Sequence, residues 1–185
     1  LQIAAEIAKK GGTHIIGTTG LTAEQEDKLA SHGKNARIVY APNFSVGVNL
    51  LMSLTEKVSK ILDESYDIEI LEMHHNKKVD SPSGTALGLG KSAANGRNVN
   101  LDEVACRARD GQIGARPTGE IGFATLRGGS VIGDHTVMFA SDDERIELTH
   151  KSSSREIYSK GALRSAIWAN DKPAGQYSMA DVLGL

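Results

Sequence analysis

Residues 72–86 read Glu72-Met-His-His-Asn-Lys-Lys-Val-Asp-Ser-Pro-Ser-Gly-Thr-Ala86. Two adjacent histidines and two adjacent lysines precede Pro82-Ser83-Gly84-Thr85, and an apolar run follows. The preceding YDIEILEMHH alternates polar and apolar residues as a strand does, and Ser83 to Thr85 suits a helix start. A strand, a basic loop and a helix N-terminus in succession admit four readings. They are a metal site, a phosphate cradle, an anion-binding catalytic site and a solvated basic turn.

The metal reading is weak, because neighbouring histidines on a strand point to opposite faces and zinc wants three or four ligands. His14, His32, His135 and His150 are scattered, and none forms HExxH spacing. The phosphate reading rests on GTALGLGKS, which misses the GxxxxGK[ST] pattern by one position: Thr85 stands five before Gly90, where the pattern needs the glycine of Gly84. Gly88 to Ala93 satisfies GxGxxG/A, but it falls after the expected helix start rather than in a strand-to-helix turn. The anion reading uses more of the residues. A helix start at Pro82–Thr85 offers unpaired N–H groups, hydroxyls and the positive dipole end to a carboxylate. His75 and Lys78 add charge, and His74 suits proton transfer near neutral pH. A solvated basic turn with an ordinary cap stays open on these residues alone.

Working outward, the 185 residues suffice for one domain and part of another, and 39% hydrophobic with 24% charged content describes a globular chain. A net charge of −2 gives no general attraction to nucleic acid or to an anionic membrane surface. Cys106, the single cysteine, cannot form an intrachain disulfide, which fits a reducing compartment. No apolar run reaches the roughly 18–20 residues of a membrane span, and the start lacks a signal-peptide pattern. The expectation is a cytoplasmic protein with no membrane partner and no metal.

Ile3, Ala4, Ile7 and Ala8 share a helical face before KKGG, so the chain opens as if inside a fold. THIIGTTG, a helix capped by Thr22 with Gln25, and the strand ARIVYAPNF give the rhythm of a parallel α/β sheet. A long helix from Ser45 places Val48, Leu51, Met52, Thr55 and Val58 at helical spacing. Beyond the loop, EVACRARD, GEIGFATLR, SVIGDHTVMFAS and ERIELTHKS read as successive strands, with Gly128-Gly129 as a hairpin turn, and so predict an antiparallel meander. A capping box at Ser153–Glu156 opens an amphipathic helix in which Leu163, Ile167 and Trp168 are expected in the core, and the tail suggests one more helical turn.

The fixed positions Glu72, His74-His75, Lys78, Asp80 and Pro82–Ala86 resemble the signature of the 4-hydroxy-tetrahydrodipicolinate reductase (dihydrodipicolinate reductase) family. IIGTTG, APNFSVGVN, IGFATLRGGSVIGDHTVMFA, ERIELTHKSSSR and YSMADVLGL are similar to family segments in the same order, so the resemblance covers essentially the whole chain. It implies α/β plus α+β architecture: a partial Rossmann-like dinucleotide-binding domain carrying an inserted antiparallel-sheet domain for substrate binding and tetramerisation. The implied boundaries are 1–44 for the nucleotide domain, 45–153 for the insert and 154–185 for C-terminal helices that rejoin the first part.

By this resemblance His74 is the catalytic acid/base and Lys78 the proton donor, while His75, Gly84, Thr85 and Arg155 bind the substrate carboxylates. Gly17, Thr18, Thr19, Ala41, Pro42, Asn43 and Phe44 lie beside the nicotinamide of NADH or NADPH. The implied reaction reduces a dicarboxylate heterocycle in lysine and diaminopimelate biosynthesis, within a homotetramer. The family's first strand, Gly-rich turn and ribose-binding acid lie upstream of anything present, so the alternative is an inactive, oligomerising dicarboxylate-binding remnant without cofactor binding.

Overall fold

The computed structural model describes residues 1–185, and local sequence signals account for most of its elements. Helix α1 (Gln2–Lys9) stops before Gly11, whose φ of 63° is left-handed. Strand β1 (Thr13–Ile16) follows, and α2 (Ala23–His32) opens on the reciprocal Thr22–Gln25 capping box. Next come β2 (Arg37–Tyr40), α3 (Val46–Ile61), β3 (Asp67–His74) and α4 (Gly84–Arg97). The remainder is α5 (Leu101–Val104), β4 (Ala105–Cys106), β5 (Ile121–Arg127), β6 (Asp134–Ala140), β7 (Arg145–Lys151), α6 (Glu156–Ala169), β8 (Gly175–Tyr177) and α7 (Met179–Leu183). No helix is long and apolar enough to cross a membrane.

The chain divides into two units, Leu1–Asn49 with Arg155–Leu185, and Leu50–Ser154. The first is built on a parallel sheet in the order β1-β2-β8. Both faces are covered, as apolar strands of a parallel sheet require. Ile16 and Ile38 pack with Ala4, Leu29 and Ala36 on one side, while Val39, Ala41 and Phe44 pack with Ala169, Met179 and Val182 on the other. Strand β8, which pairs in parallel with β2, lies in a tail that sequence reads only as a helical turn. The expected capping box at Ser153 does not form: α6 begins at Glu156, with Arg155 at the N-cap making no side-chain cap bond. Just upstream, the Ser152 amide donates to the Gly133 carbonyl at 3.0 Å. Leu163 and Ile167, expected in the core, are instead 63% and 67% exposed, because α6 turns its small residues Gly161, Ser165 and Ala169 inward.

The second unit is a five-stranded sheet in the order β4-β5-β3-β6-β7. It is mixed rather than the expected meander, for β5 runs parallel to β3 and β6 runs antiparallel to it. Gly128-Gly129 therefore makes no hairpin. The Gly128 amide donates to the His74 carbonyl at 2.9 Å, and the Gly129 carbonyl accepts from Asn76, so the turn is bonded to the end of β3 and β6 continues on the far side of that strand. EVACRARD yields the single turn α5 and the short β4 instead of a full strand.

Register explains the core. The inward residues form rows across the sheet, Ile121–Ile68–Phe139–Ile146 and Phe123–Ile70–Val137–Leu148, all of which belong to one apolar cluster. Helix α4 covers these rows with Ala86, Leu89 and Ala93. Its glycines serve packing: a Cβ at Gly88 would lie 2.5 Å from Met52 Cε, and one at Gly90 would lie 2.5 Å from Phe123 Cζ. The P-loop-like and GxGxxG-like matches are thus stretches inside a packed helix.

A similar close approach ties α6 to the end of β2. A Cβ at Gly161 would stand 1.7 Å from the Phe44 carbonyl oxygen, which is backbone and cannot swing aside. Gly161→Ala is therefore expected to destabilise the first unit by about 1–3 kcal/mol through overpacking, read as a lowered thermal midpoint. An unchanged midpoint would mean that α6 and residue 44 separate easily.

Candidate active site

Beyond its two apolar rows the inner face of the second sheet turns polar. The next row, in register, is Thr125–Glu72–His135–His150, and the one after it pairs Arg127 with His74. Alternation along β3 buries Ile68, Ile70, Glu72 and His74 in turn, so a carboxylate and an imidazole occupy positions that continue the core. Glu72 is 1% exposed.

That carboxylate is fully ligated by the chain itself. Arg127 forms a two-pronged pair with it, Nη1 to Oε2 at 2.8 Å and Nη2 to Oε1 at 2.9 Å. The Ser83 amide donates to Oε1 at 3.0 Å, and His74 Nδ1 lies 2.5 Å from Oε2. Burial pushes the Glu72 carboxyl up, but the bonds from Arg127, His74 and Ser83 together outweigh it and hold the acid below its ordinary range. Glu72 is consequently an anion at neutral pH. An ionised carboxylate only accepts, so His74 carries its proton on Nδ1, and Nε2 is the nitrogen not engaged by Glu72. A Cβ on Gly133 would come within 2.9 Å of that Nε2, so glycine there keeps the approach open.

Ser83 joins this network to the helix start. Its Oγ accepts from the Ala86 amide at 3.1 Å as the N-cap of α4 and lies 3.0 Å from His135 Nε2. Gly84 and Thr85 are the first two residues of α4, and a Cβ on Gly84 would meet nothing within 4 Å. In the loop, Lys78 Nζ pairs with Asp80 Oδ1 at 2.8 Å. The Lys78 hydrogen bond lowers the Asp80 pKa, and the Gly84 amide adds to the effect. His75 follows directly on β3, and its carbonyl accepts from the Lys78 amide at 3.2 Å. The second unit thus brings together His74, His75, Lys78, Gly84 and Thr85.

The remaining sequence-predicted residues lie in the first unit. Gly17, Pro42, Asn43 and Phe44 line one cavity together with Tyr158 of α6. A Cβ on Gly17 would touch the Phe44 ring at 3.4 Å, so glycine keeps this wall flat. Thr18 and Thr19 are exposed beside it, whereas Ala41 is buried in the core and offers only its backbone. Arg155, exposed at the N-cap of α6, also belongs to this unit and not to the one bearing Gly84 and Thr85.

Comparison with known proteins accounts for both halves. The profile described as "Dihydrodipicolinate reductase, C-terminus" matches residues 47–183, and "Dihydrodipicolinate reductase, N-terminus" matches residues 1–44. The chain belongs to the dihydrodipicolinate reductase family. A 4-hydroxy-tetrahydrodipicolinate reductase of Rhodopseudomonas palustris is 57% identical over 178 residues, 96% of this chain and 66% of that protein. That of Ruegeria pomeroyi is 54% identical over 185 residues, 100% of this chain and 69% of its own length. The chain thus spans about two thirds of the length of these relatives. A solved dihydrodipicolinate reductase from Paenisporosarcina, described as dipicolinate-bound, shares the fold at a TM-score of 0.75 and 23% identity, over 97% of this chain and 68% of that one.

Sequence reasoning gave no role to Arg127, His135 or Tyr158, used Ser83 only as part of the helix start, and named Glu72 only as a fixed position of the signature. Arg127 and His135 are far along the chain from Glu72, and the only available signal was a carboxylate two residues before His74 in a strand whose alternate positions are isoleucine. His135 is neutral at physiological pH: burial first, with His74 adding to it, pushes its imidazole from the ordinary 6.5 to about 4. Between those values the unfolded chain binds a proton that the folded one refuses, so stability is present above pH 6.5 and is lost as pH falls toward 4. Urea unfolding across this window should show that slope, and His135→Gln should flatten it by about one proton. An unaltered slope would mean that His135 is not buried in its neutral form.

Proposed function

We propose that this chain reduces 4-hydroxy-tetrahydrodipicolinate to tetrahydrodipicolinate with NADH or NADPH, a step of lysine and diaminopimelate biosynthesis carried out in the cytoplasm. The observation that carries the reading is the joining, by one carboxylate, of an oriented histidine and a helix start in a chain of this family. A dicarboxylate ring needs cations and amides for its carboxylates, and it needs a proton source as hydride arrives. His75, Lys78 and the amides of Gly84 and Thr85 supply the first, and Arg155 is a further carboxylate ligand. His74, through Nε2, moves a proton from the ring carbon beside the 4-hydroxyl to that hydroxyl, which leaves as water with a ring double bond formed. Lys78 delivers the one proton that accompanies hydride addition across that bond. Asp80 engages both Lys78 and the Gly84 amide, so an entering carboxylate competes with it for these donors.

Gly17, Thr18, Thr19, Ala41, Pro42, Asn43 and Phe44 would hold the nicotinamide, and the flat cavity wall made by Gly17 and Phe44 suits such a ring. The cofactor, when bound, supplies the hydride. Assembly as a homotetramer fits the outer face of the second sheet, where Ala124 and Leu126 are exposed beside Leu71 and Met73. Light scattering would read the mass of four chains.

His74→Gln and Lys78→Ala are expected to lower kcat by about 10²-fold or more with smaller changes in substrate KM, as general acid–base groups do. Near-normal turnover in His74→Gln would refute its role. By calorimetry, 2,6-pyridinedicarboxylate should bind, more weakly as salt rises, and ATP should not compete.

A further inference from the structure

We propose that Glu72 is the positioning residue of this site, one buried carboxylate that sets the tautomer of His74 and anchors the start of helix α4. The inference rests on His74 being the acid–base group, and it assigns separate duties to the two oxygens of the carboxylate that joins this histidine to the helix start.

A carboxylate in this row costs stability unless it is satisfied, and the neighbouring rows show what packing alone puts there, isoleucine and valine on the same strands. The two oxygens of Glu72 have different duties. Oε1 accepts from the Ser83 amide and Arg127 Nη2, with Thr125 Oγ1 more distant at 3.4 Å. Oε2 faces His74 Nδ1 and Arg127 Nη1. The first oxygen thus holds the residue before Gly84 and Thr85 against the end of β3, and the second makes His74 Nδ1 a donor, leaving Nε2 to exchange protons. Arg127 keeps this arrangement in one orientation, and its Nη2 also binds the Asp80 carbonyl at 2.7 Å, which fixes the loop between histidine and helix.

The two duties separate in Glu72→Gln. The amide oxygen takes the Oε1 position, where three donors converge, so Ser83 keeps its acceptor and the helix start keeps its place. The amide NH₂ then occupies the Oε2 position, where it gives up the bond from Arg127 Nη1 and donates to His74 Nδ1, which drives the ring proton to Nε2. Glu72→Ala abolishes both anchors.

The test is ¹⁵N NMR of the histidine rings in the full chain at a pH where they are neutral, with His74 assigned by its absence in His74→Gln. Wild type should carry the His74 proton on Nδ1, and Glu72→Gln should carry it on Nε2. Glu72→Gln should lose kcat by about 10²-fold with little change in 2,6-pyridinedicarboxylate affinity, while Glu72→Ala loses that affinity too. A wild-type ring protonated on Nε2 overturns the proposal even if the variants fail to fold, and so does Glu72→Gln with unchanged tautomer and turnover. If His74→Gln retains turnover, the acid–base reading fails, and the tautomer measurement still judges Glu72 on its own.

Discussion

A carboxylate with 1% exposure has to be given donors on every side, and satisfying Glu72 governs how the second unit is put together. Desolvating such an ion costs several kcal/mol, and removing one partner of a buried pair leaves the rest of that cost uncompensated. The donors come from three elements: Arg127 and Thr125 on β5, His74 on β3 itself, and Ser83 at the cap of α4. Arg127 and Thr125 can be supplied only if β5 lies directly beside β3 in register, and Ser83 only if α4 begins over their common end. The ionic network therefore selects against a simple hairpin of β5 with β6, which would carry Arg127 away from Glu72.

The same geometry places chemistry at the end of the sheet. Strands β3 and β5 are parallel and finish together at His74 and Arg127, so their carboxyl ends open onto one loop region and one helix N-terminus. Ligand sites in sheets with parallel strands favour this end, because chain direction collects loops and helix dipoles there. Two apolar rows supply the rigidity. The third row keeps their shape but replaces hydrocarbon with hydrogen-bonding groups, and so functional side chains inherit the order of a packed core.

Local order was legible in the sequence, and long-range order was not. The Thr22–Gln25 box, the helical stripe of α3 and the helix start after Pro82 depend on residues within one or two turns, and the structure contains all three. Strand β8 was missed because three residues, Gly175–Tyr177, carry too little periodicity to be seen without β2 beside them. The mixed sheet was missed because Gly128-Gly129 has hairpin composition, and only the bonds from Gly128 to His74 and from Asn76 to Gly129 reveal its other use. The loop from His74 to Thr85 announced itself by composition. Its partners did not, since Arg127 and His135 meet Glu72 only through strand register, and a one-residue slip would point both away.

Strand β3 carries a second glutamate, Glu69, whose treatment clarifies that of Glu72. It lies on the opposite face, where it receives Arg109 at 2.8 and 2.9 Å and Arg116 at 2.9 Å, and Gly122 leaves it room, since a Cβ there would stand 2.0 Å from Oε2. Arg109 also reaches Glu120, and Arg116 also reaches Asp67, so the glycine-rich segment between β4 and β5 is tied to the sheet by charges at both its ends. These groups retain contact with water, and pairs of that kind contribute little each, so their value lies in number and in holding a loop. Glu72 is the reverse case, a single ion without water whose loss cannot be shared among neighbours. One strand thus uses the same residue type on its two faces for opposite ends: on the wet face as a mooring for a loop, and on the dry face as the fixed point from which an imidazole and a helix start are aimed.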